Sequence, residues 1–301
     1  MANTVNYASE YLRMLDLIFK KESCTKLLEA TKAQVRPDKV NAKNVYLRKI
    51  SVDGLADYSR SSGFVDGDGT VTWENHALTQ ERGRRFNLDV MDSVEAYTTI
   101  AEIAAEFTRT KVIPELDAYR FGKIYSLCGS NAQATLTYDT VVNAIDTGVA
   151  ALDDLEVPKS NRALFVSNGV YQLMKQSGDS LKVRMTSGMN PVIDRDIEMF
   201  DKMPLVQVPS GRFNTSITLY DGTSGGQTAG GFVTAGYDIN FMIIPLDIVA
   251  AVVKYVKPGI ISPDDNQSAD AFLFKYRLYH DLFVADNKVD GVYIHNKSSW
   301  I

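Results

Sequence analysis

The first part of the chain carries an amphipathic pattern that is typical of a helix. Between residues 7 and 30, apolar side chains recur at helical spacing, and most charged side chains lie off that face. The apolar positions are Tyr11, Leu12, Leu15, Ile18, Phe19, Leu27 and Leu28. The pattern predicts a helix that ends before Pro37. Such a helix can pack on the core of its own chain, or it can be an arm that reaches a neighbouring subunit.

Residues 44 to 90 change to extended segments with a polar, turn-rich middle. VYLRKISV and VTWENHALTQERGRRFNLDV have strand character, and four glycines punctuate the stretch DGLADYSRSSGFVDGDGT between them. We predict two strands joined by a long polar tip. Because an isolated two-stranded hairpin is marginally stable in water, this one must lie on another surface.

The returning strand is densely charged. Residues 77–92, ALTQERGRRFNLDVMD, place six charged side chains around the alternating apolar residues Phe86, Leu88 and Val90. This pattern does not resemble a core strand. It favours contact with a partner of complementary charge, so we interpret the stretch as an interface strand.

The longest predicted helix follows. Ser93 is a candidate N-cap, and apolar side chains then keep helical spacing as far as Leu116. These side chains are Tyr97, Ile100, Ile103, Ala104, Phe107, Ile113 and Leu116. Pro114 removes one backbone hydrogen bond and clashes with the preceding turn, so a kink or break is expected near residues 110–113.

From Thr137 onward, helical and strand patterns alternate. YDTVVNAIDTGVAALDDL and NGVYQLMKQ predict helices, RALFVS and PLVQVP predict strands, and a glycine-rich loop occupies residues 222–231. Near the C-terminus, AFLFKYRLYHDLFV alternates aromatic or apolar residues with polar ones and predicts a strand with an aromatic face.

Composition and charge narrow the class further. Of 301 residues 45% are apolar, which is enough for a real core, and the formal net charge of −5 does not favour nonspecific binding to nucleic acid. Two distant cysteines, Cys24 and Cys128, suit a reducing compartment. The apolar run from Phe241 is interrupted by Pro245 and Asp247, and the first residues lack a secretory pattern. We expect a cytoplasmic protein with no membrane contact.

Sequence motifs for catalysis are missing. The chain has no GxxxxGK[ST], GxGxxG or GxSxG motif, its three histidines form no metal-binding pair, and DGDG at residues 66–69 lacks the later calcium ligands. We expect no catalytic residue, cofactor or metal. Arg82, Arg84 and Arg85 suit phosphate, but acidic residues interleave with them, so salt bridges between subunits fit better.

Three stretches, in sequence order, match segments of one known family. Residues 77–121 (ALTQERGRRFNLDVMDSVEAYTTIAEIAAEFTRTKVIPELDAYRF) resemble a returning loop strand that runs into a long helix. Residues 196–213 (DIEMFDKMPLVQVPSGRF) resemble a short strand that follows a turn, and residues 239–295 resemble a C-terminal return. The chain therefore resembles the major capsid proteins of tailed bacteriophages, which have the Hong Kong 97-like fold.

The resemblance implies an α+β subunit of defined parts. These are an N-terminal arm at 1–43, an extended β-hairpin loop at 44–92, a spine helix with the start of the peripheral domain at 93–136, an axial domain at 137–250, and peripheral-domain return strands at 251–301. The extended loop would lie over the adjacent subunit. The intersubunit contacts predicted from it are Trp73, Glu81, Arg82, Arg84, Arg85, Asp89 and Asp92.

The resemblance also implies a function. Copies would assemble through pentamers and hexamers into an icosahedral shell, the virion capsid, in the cytoplasm of a bacterial host. The shell would enclose double-stranded DNA without reading its sequence, and portal, scaffolding or decoration proteins would be further partners. Because the loop tip from Leu55 to Thr70 has no lysine and Lys49 lies near the loop base, we expect assembly without the family's covalent cross-link. Because the segment before the loop is too short for a long internal scaffolding domain, we expect scaffolding to be a separate protein or to have been removed earlier.

Two alternatives stay open. An encapsulin, a bacterial nanocompartment with the same fold, would hold cargo enzymes instead of DNA. A soluble α/β enzyme would use the glycine-rich loop at residues 222–231, and it would require a concave pocket with perturbed titratable groups.

Overall fold

Strands dominate the part of the chain that the structure describes. The computed structural model describes residues 23–30, 35–37, 43–61, 63–89, 96–177, 184–185, 193–194, 198–268 and 271–298. The helices are α1 (Ala96–Phe107), α2 (Ile113–Cys128), α3 (Val141–Asp154) and α4 (Asn168–Gln176). The strands are β1 (Val35–Pro37), β2 (Asn44–Val52), β3 (Gly69–Ala77), β4 (Gln80–Asp89), β5 (Ala132–Gln133), β6 (Arg162–Ser167), β7 (Arg184–Met185), β8 (Ile193–Asp194), β9 (Met199–Phe200), β10 (Met203–Val208), β11 (Asn214–Leu219), β12 (Phe232–Pro245), β13 (Val249–Ile261), β14 (Ala271–Val284) and β15 (Tyr293–Asn296). The α+β class is confirmed.

A seven-stranded sheet forms the larger core. Its order is β5-β15-β12-β6-β10-β9, and β11 pairs with β12. The central strand β6 is apolar from Ala163 to Val166 because both of its faces are covered. Ala163 and Phe165 pack with α2 on one face, and Leu164 and Val166 pack with α3 and α4 on the other. Full burial of each large side chain contributes about 1.5–3 kcal/mol.

A three-stranded sheet, in the order β13-β14-β4, forms a second core with the long helix. The expected aromatic face of β14 is confirmed, since Phe274, Tyr276 and Leu278 are buried while Lys275 and Arg277 are exposed. The buried residues pack against Ala104, Val112, Ile113 and Leu116 of the helix. One face of this sheet is therefore apolar and the other is charged.

The long helix runs without a break through Pro114. A π-helical turn, Thr108–Val112, joins α1 to α2, and the backbone N–H of Ile113 donates to the carbonyl of Thr108. Because Pro114 has no N–H, the regular pattern of helical hydrogen bonds is interrupted here, and the wider turn lets the helix continue past it. The hydroxyls of Thr108 and Thr110 donate to the carbonyls of Ala104 and Glu106, at 2.9 and 2.7 Å. The expected disturbance is thus a change of helix type rather than a break; the Ser93 cap lies outside the described residues.

The hairpin ends earlier than the strand pattern indicated. β2 pairs with β3 from Asn44↔Ala77 to Val52↔Gly69, and β4 leaves the hairpin to pair with β14 along its whole length. The charged strand is therefore the edge of the three-stranded sheet in its own chain. The two parts separate at Leu78 and Thr79, where the backbone turns from one sheet to the other.

Two further findings concern the chain ends. Residues 23–30 do not continue a helix; they form a turn and a short 3-10 segment, Lys26–Leu28. The last strand, β15, pairs with β12 and β5 in the seven-stranded sheet, so it does not group with β13 and β14. The apolar run from Phe241 forms the buried end of β12 and the start of β13, and none of the described helices is both long and apolar enough to cross a membrane.

Candidate interface surfaces

The tip of the β2–β3 hairpin presents apolar side chains to solvent. At the base of the hairpin, Val45 and Leu47 are buried, but Leu55 is fully exposed and Phe64 is 88% exposed. Val52, Tyr58, Val65 and Val71 are also more than half exposed. Tyr58 and Phe64 contact each other with ring centroids 4.8 Å apart, and two backbone hydrogen bonds between Ser59 and Gly63 close the turn. Large apolar side chains exposed together on one hairpin indicate an interaction site.

A buried carboxylate fixes the junction where the hairpin leaves the body. Asp281 on β14 accepts hydrogen bonds from the backbone N–H and hydroxyl of Thr79, both at 2.8 Å, and from the Tyr119 hydroxyl at 2.7 Å. The carboxylate also accepts from the N–H of Leu282. Burial and the nearby carboxylate raise the pKa of Tyr119, so its hydroxyl stays a donor. The junction is thereby tied both to the sheet and to the long helix.

Arg82, one of the predicted contact residues, has partners within its own chain. Its guanidinium binds both carboxylate oxygens of Glu115 on α2, with an Nε–Oε1 distance of 2.7 Å. It also donates to the carbonyls of Tyr220 and Gly231. Such a two-pronged pair is a strong charge-assisted contact. Arg82 therefore joins β4, the long helix and both ends of the glycine-rich loop.

The glycine-rich loop is held by several polar contacts. Both terminal nitrogens of Arg84 donate to the carbonyl of Thr228 at 3.2 Å. Asp221 accepts from the N–H groups of Thr223 and Ser224 and from the Ser224 hydroxyl, and these bonds hold the pKa of Asp221 well below its usual range. The loop is thus held against β4 by Arg84.

The other predicted contact residues differ in their surroundings. Glu81 pairs with Arg277 of β14, with an Arg277 Nε to Oε1 distance of 2.7 Å. Trp73 is 42% exposed on β3, opposite Arg48, while Arg85 and Asp89 point from the exposed face of β4. Asp92 lies outside the described residues. Sequence reasoning missed the apolar tip, whose signal is large apolar residues inside a stretch rich in Gly, Asp and Ser.

A cleft of about 760 Å³ lies between β4, the long helix and the glycine-rich loop. Its lining is mostly apolar, and its polar groups include the paired Arg82 and Glu115. His280 also lines it, and burial together with Arg120 lowers the pKa of His280 to about 3. An imidazole with so low a pKa is a weak base and stays neutral at neutral pH.

The segment before the hairpin is anchored to the long helix. The buried Asp117 carboxylate accepts from the hydroxyls of Ser23 and Thr25, at 2.8 and 2.7 Å, and from the backbone N–H of Cys24. Arg120 donates to the Thr25 hydroxyl at 2.6 Å. Burial raises the pKa of the Cys24 thiol, and likewise that of Cys128, to about 11. Residues 23–30 therefore belong to the body of the subunit.

Leu28 should be essential for stability although it lies in this short terminal segment. Its side chain is fully buried beside Phe121 and Phe165. Replacing Leu28 with alanine is expected to reduce the free energy of unfolding by about 3 kcal/mol, because it leaves a cavity. Leu27 is 43% exposed and is the matched control, with an expected change below about 1 kcal/mol on replacement with alanine. Chemical denaturation measures both, and equal small effects would place the segment outside the core.

The fold was compared with those of known proteins. No protein-family model matches the chain, and no curated sequence matches it. Among solved structures, the capsid of cyanophage P-SCSP1u aligns with 91% of this chain and 87% of its own, at 11% identity and a TM-score of 0.62. The mature capsid of bacteriophage PhiM1 aligns with 86% of this chain and 83% of its own, at 12% identity and a TM-score of 0.60.

A third similar structure is a virus-like particle from Pyrococcus furiosus. It aligns with 96% of this chain and 99% of its own, at 12% identity and a TM-score of 0.54. All three alignments extend over most of both chains, so the likeness concerns the whole architecture and not one motif. The fold of this chain is therefore that of phage capsid proteins.

Proposed function

We propose that this chain is the major structural subunit of a tailed-phage capsid and assembles with copies of itself into a closed shell. One observation carries the proposal: a chain with the fold of capsid proteins extends a hairpin whose apolar tip is exposed in the single subunit. Leu55 and Phe64 would be covered in an assembled shell. No catalytic chemistry is needed for this role.

In this proposal each part of a Hong Kong 97-like subunit is assigned to described elements. The β2–β3 hairpin would be the extended loop, and α1 with α2 would be the spine helix. The sheet of β13, β14 and β4 would belong to the peripheral domain, and the seven-stranded sheet would supply the axial domain. Pentamers and hexamers would be the assembly units, and the shell would enclose double-stranded DNA.

The predicted contact residues would have different roles in this proposal. Arg85, Asp89 and Trp73 are exposed and remain candidates for contacts with a neighbouring subunit. Three others already have partners in their own chain. Glu81 pairs with Arg277, Arg82 pairs with Glu115, and Arg84 donates to the Thr228 carbonyl. Their first role would be to shape the subunit that enters the assembly.

The proposal is tested by expressing the full chain alone and examining it by electron microscopy and analytical ultracentrifugation. Closed shells of uniform size, or rings of five and six subunits, are expected. A chain that stays monomeric at every protein concentration and ionic strength tested would contradict the proposal.

A second candidate is a nanocompartment shell, the encapsulin alternative. The observation that favours it is the match to the Pyrococcus furiosus virus-like particle over nearly the full length of both chains. The content of particles isolated from the native source separates the two candidates. Packaged double-stranded DNA, with portal, scaffolding or decoration proteins alongside, supports the capsid; a co-purifying enzyme inside DNA-free particles supports the nanocompartment.

A further inference from the structure

The cleft between β4, the long helix and the glycine-rich loop has an apolar inner wall that the subunit does not fill. Its volume is about 760 Å³. The buried or half-buried apolar side chains that line it are Phe86, Phe107, Val112, Leu116, Tyr276 and Leu278. Protein interiors are close-packed, and apolar side chains that border a gap lose the contacts that would stabilise them. A mostly apolar cleft of this size is typical of a small-molecule site.

The glycine-rich loop is held over the cleft and does not collapse into it. Arg82 donates to carbonyls at both ends of the loop, and Arg84 donates to the carbonyl of Thr228. Gly222 and Gly230 leave room for Arg84, since a Cβ at these positions would lie only 3.1 and 3.2 Å from its Nη1. The cleft is therefore formed before any ligand arrives, which reduces the entropy lost on binding.

The aromatic side chains of the cleft favour a ligand with an apolar, preferably aromatic, body. The Phe107 ring meets the rings of Phe86 and Tyr276 edge to face, with centroid distances of 5.1 and 5.9 Å. Phe86 and Phe107 are only half-buried, so part of each ring is open to the cleft. A further ring placed against this group would gain both apolar burial and aromatic contacts.

The charged groups along the cleft do not favour an ionised ligand. Arg82 pairs with Glu115, Glu106 pairs with Arg109, and Asp221 accepts hydrogen bonds from its own loop. The other two charged lining residues of the long helix are exposed and opposite in sign: Glu102 and Lys111. A charged ligand would lose its hydration against the apolar wall without gaining a buried counter-charge. An uncharged ligand is favoured.

One buried polar group of the cleft lacks a partner. His280 lines the cleft and is 3% exposed, and no group among the described residues forms a hydrogen bond with its Nδ1. Because the pKa of His280 is about 3, the imidazole is neutral and offers one N–H and one lone pair. Buried polar groups nearly always have a hydrogen-bond partner. A ligand hydroxyl can either donate or accept, so it suits both tautomers.

We propose that the cleft binds one uncharged, mostly apolar molecule whose hydroxyl or similar polar group forms a hydrogen bond with His280. The apolar body of the molecule would lie against Phe86, Phe107 and Tyr276. All of these groups belong to one chain, so the site does not depend on self-assembly. The inference therefore adds a ligand site to the proposed structural role.

The fluorescence of Nile red, an uncharged apolar dye, tests the proposal on the full unassembled chain. One dye molecule should bind per chain with a dissociation constant of about 10 μM or lower. Replacing Leu55 and Phe64 together with serine removes apolar surface from the hairpin tip and should leave this binding unchanged.

A variant that fills the cleft is the main comparison. Ile103 lines the cleft and is 36% exposed, so Ile103→Trp adds a large side chain there without disturbing the core. Dye binding is expected to weaken by about ten-fold or more. Leu127→Trp is the matched control, because Leu127 is 39% exposed on the same helix and does not line the cleft. This control should bind the dye as wild type does.

Displacement of the dye by naphthalene and 1-naphthol, which differ by one hydroxyl, tests the role of His280. Wild type should bind 1-naphthol about five-fold or more tightly than naphthalene. His280→Phe keeps a ring of similar size but has no polar atom, and it should lose this preference. An equal preference in wild type and His280→Phe would overturn the assignment of His280 as the polar contact.

The results also separate this inference from the proposed function, because dye binding is measured before assembly and shells are observed by electron microscopy. If wild type does not bind the dye, or if Ile103→Trp binds it equally well, the cleft is not a ligand site, although the capsid function stands. Dye binding that is lost when shells form would show that a neighbouring copy fills the cleft, and it would also overturn the ligand site.

Discussion

Replacement of Asp281 with alanine is expected to lower the free energy of unfolding by about 3 kcal/mol. The carboxylate is 1% exposed and accepts bonds from Thr79, Tyr119 and Leu282. Its removal leaves the buried Tyr119 hydroxyl without this acceptor and breaks both bonds from Thr79, and the loss of a partner is costly for a group that water does not reach. Chemical denaturation followed by circular dichroism measures the effect.

Two comparisons make this result specific. Tyr119→Phe removes one donor and keeps the acceptor, so its expected cost is about 1 kcal/mol. Asp264 is an exposed aspartate just before β14, and its replacement with alanine should change stability by less than about 0.5 kcal/mol. If Asp281→Ala were as mild as Asp264→Ala, the junction between the hairpin and the body would not depend on this carboxylate.

Removal of the hairpin tip is expected to abolish assembly while leaving the subunit folded. Asp53 and Asp68 face each other, since the N–H of Asp53 donates to the Asp68 carbonyl at 3.0 Å. Residues 54–67 can therefore be replaced by Asn-Gly, which forms a tight two-residue hairpin turn. The melting temperature should be unchanged because the removed residues are mostly exposed.

Particle yield by electron microscopy is the readout for the shortened chain. A milder variant, Leu55→Ser with Phe64→Ser, keeps the length and charge of the tip and should reduce assembly to a smaller extent. Shells of normal size and yield from the shortened chain would show that the tip makes no essential contact.

The sequence predicted local structure well where one periodicity persisted. β14 alternates between buried aromatic and exposed charged residues, and the long helix keeps its apolar spacing into α2. It was harder to predict which strands pair and which side chains contact each other. The alternation in β4 identifies a strand, but it cannot say which strand pairs with it; β14 is nearly 200 residues away. Arg82 likewise finds Glu115, Tyr220 and Gly231 only through the fold.

The N-terminal segment shows a second limit of periodicity. Leu27 and Leu28 continue a helical stripe, yet Asp117 offers acceptors to the N–H of Cys24 and to the hydroxyls of Ser23 and Thr25. These side-chain bonds compete with helical backbone bonds. The Asp117 carboxylate, distant in sequence, therefore determines the local conformation. The sequence around residues 23–30 gives no sign of this contact.

The π-helical turn at Thr108–Val112 also determines how the two halves of the long helix are rotated relative to each other. In an α-helix each residue advances the side-chain direction by about 100°. The wider turn takes up one extra residue, and this determines the direction in which Phe107 points from the helix. In that direction Phe107 contacts Phe86, Phe274 and Tyr276. A chain one residue shorter here would direct Phe107 away from the sheet, so Pro114 and the turn before it align the first half of the helix with β4.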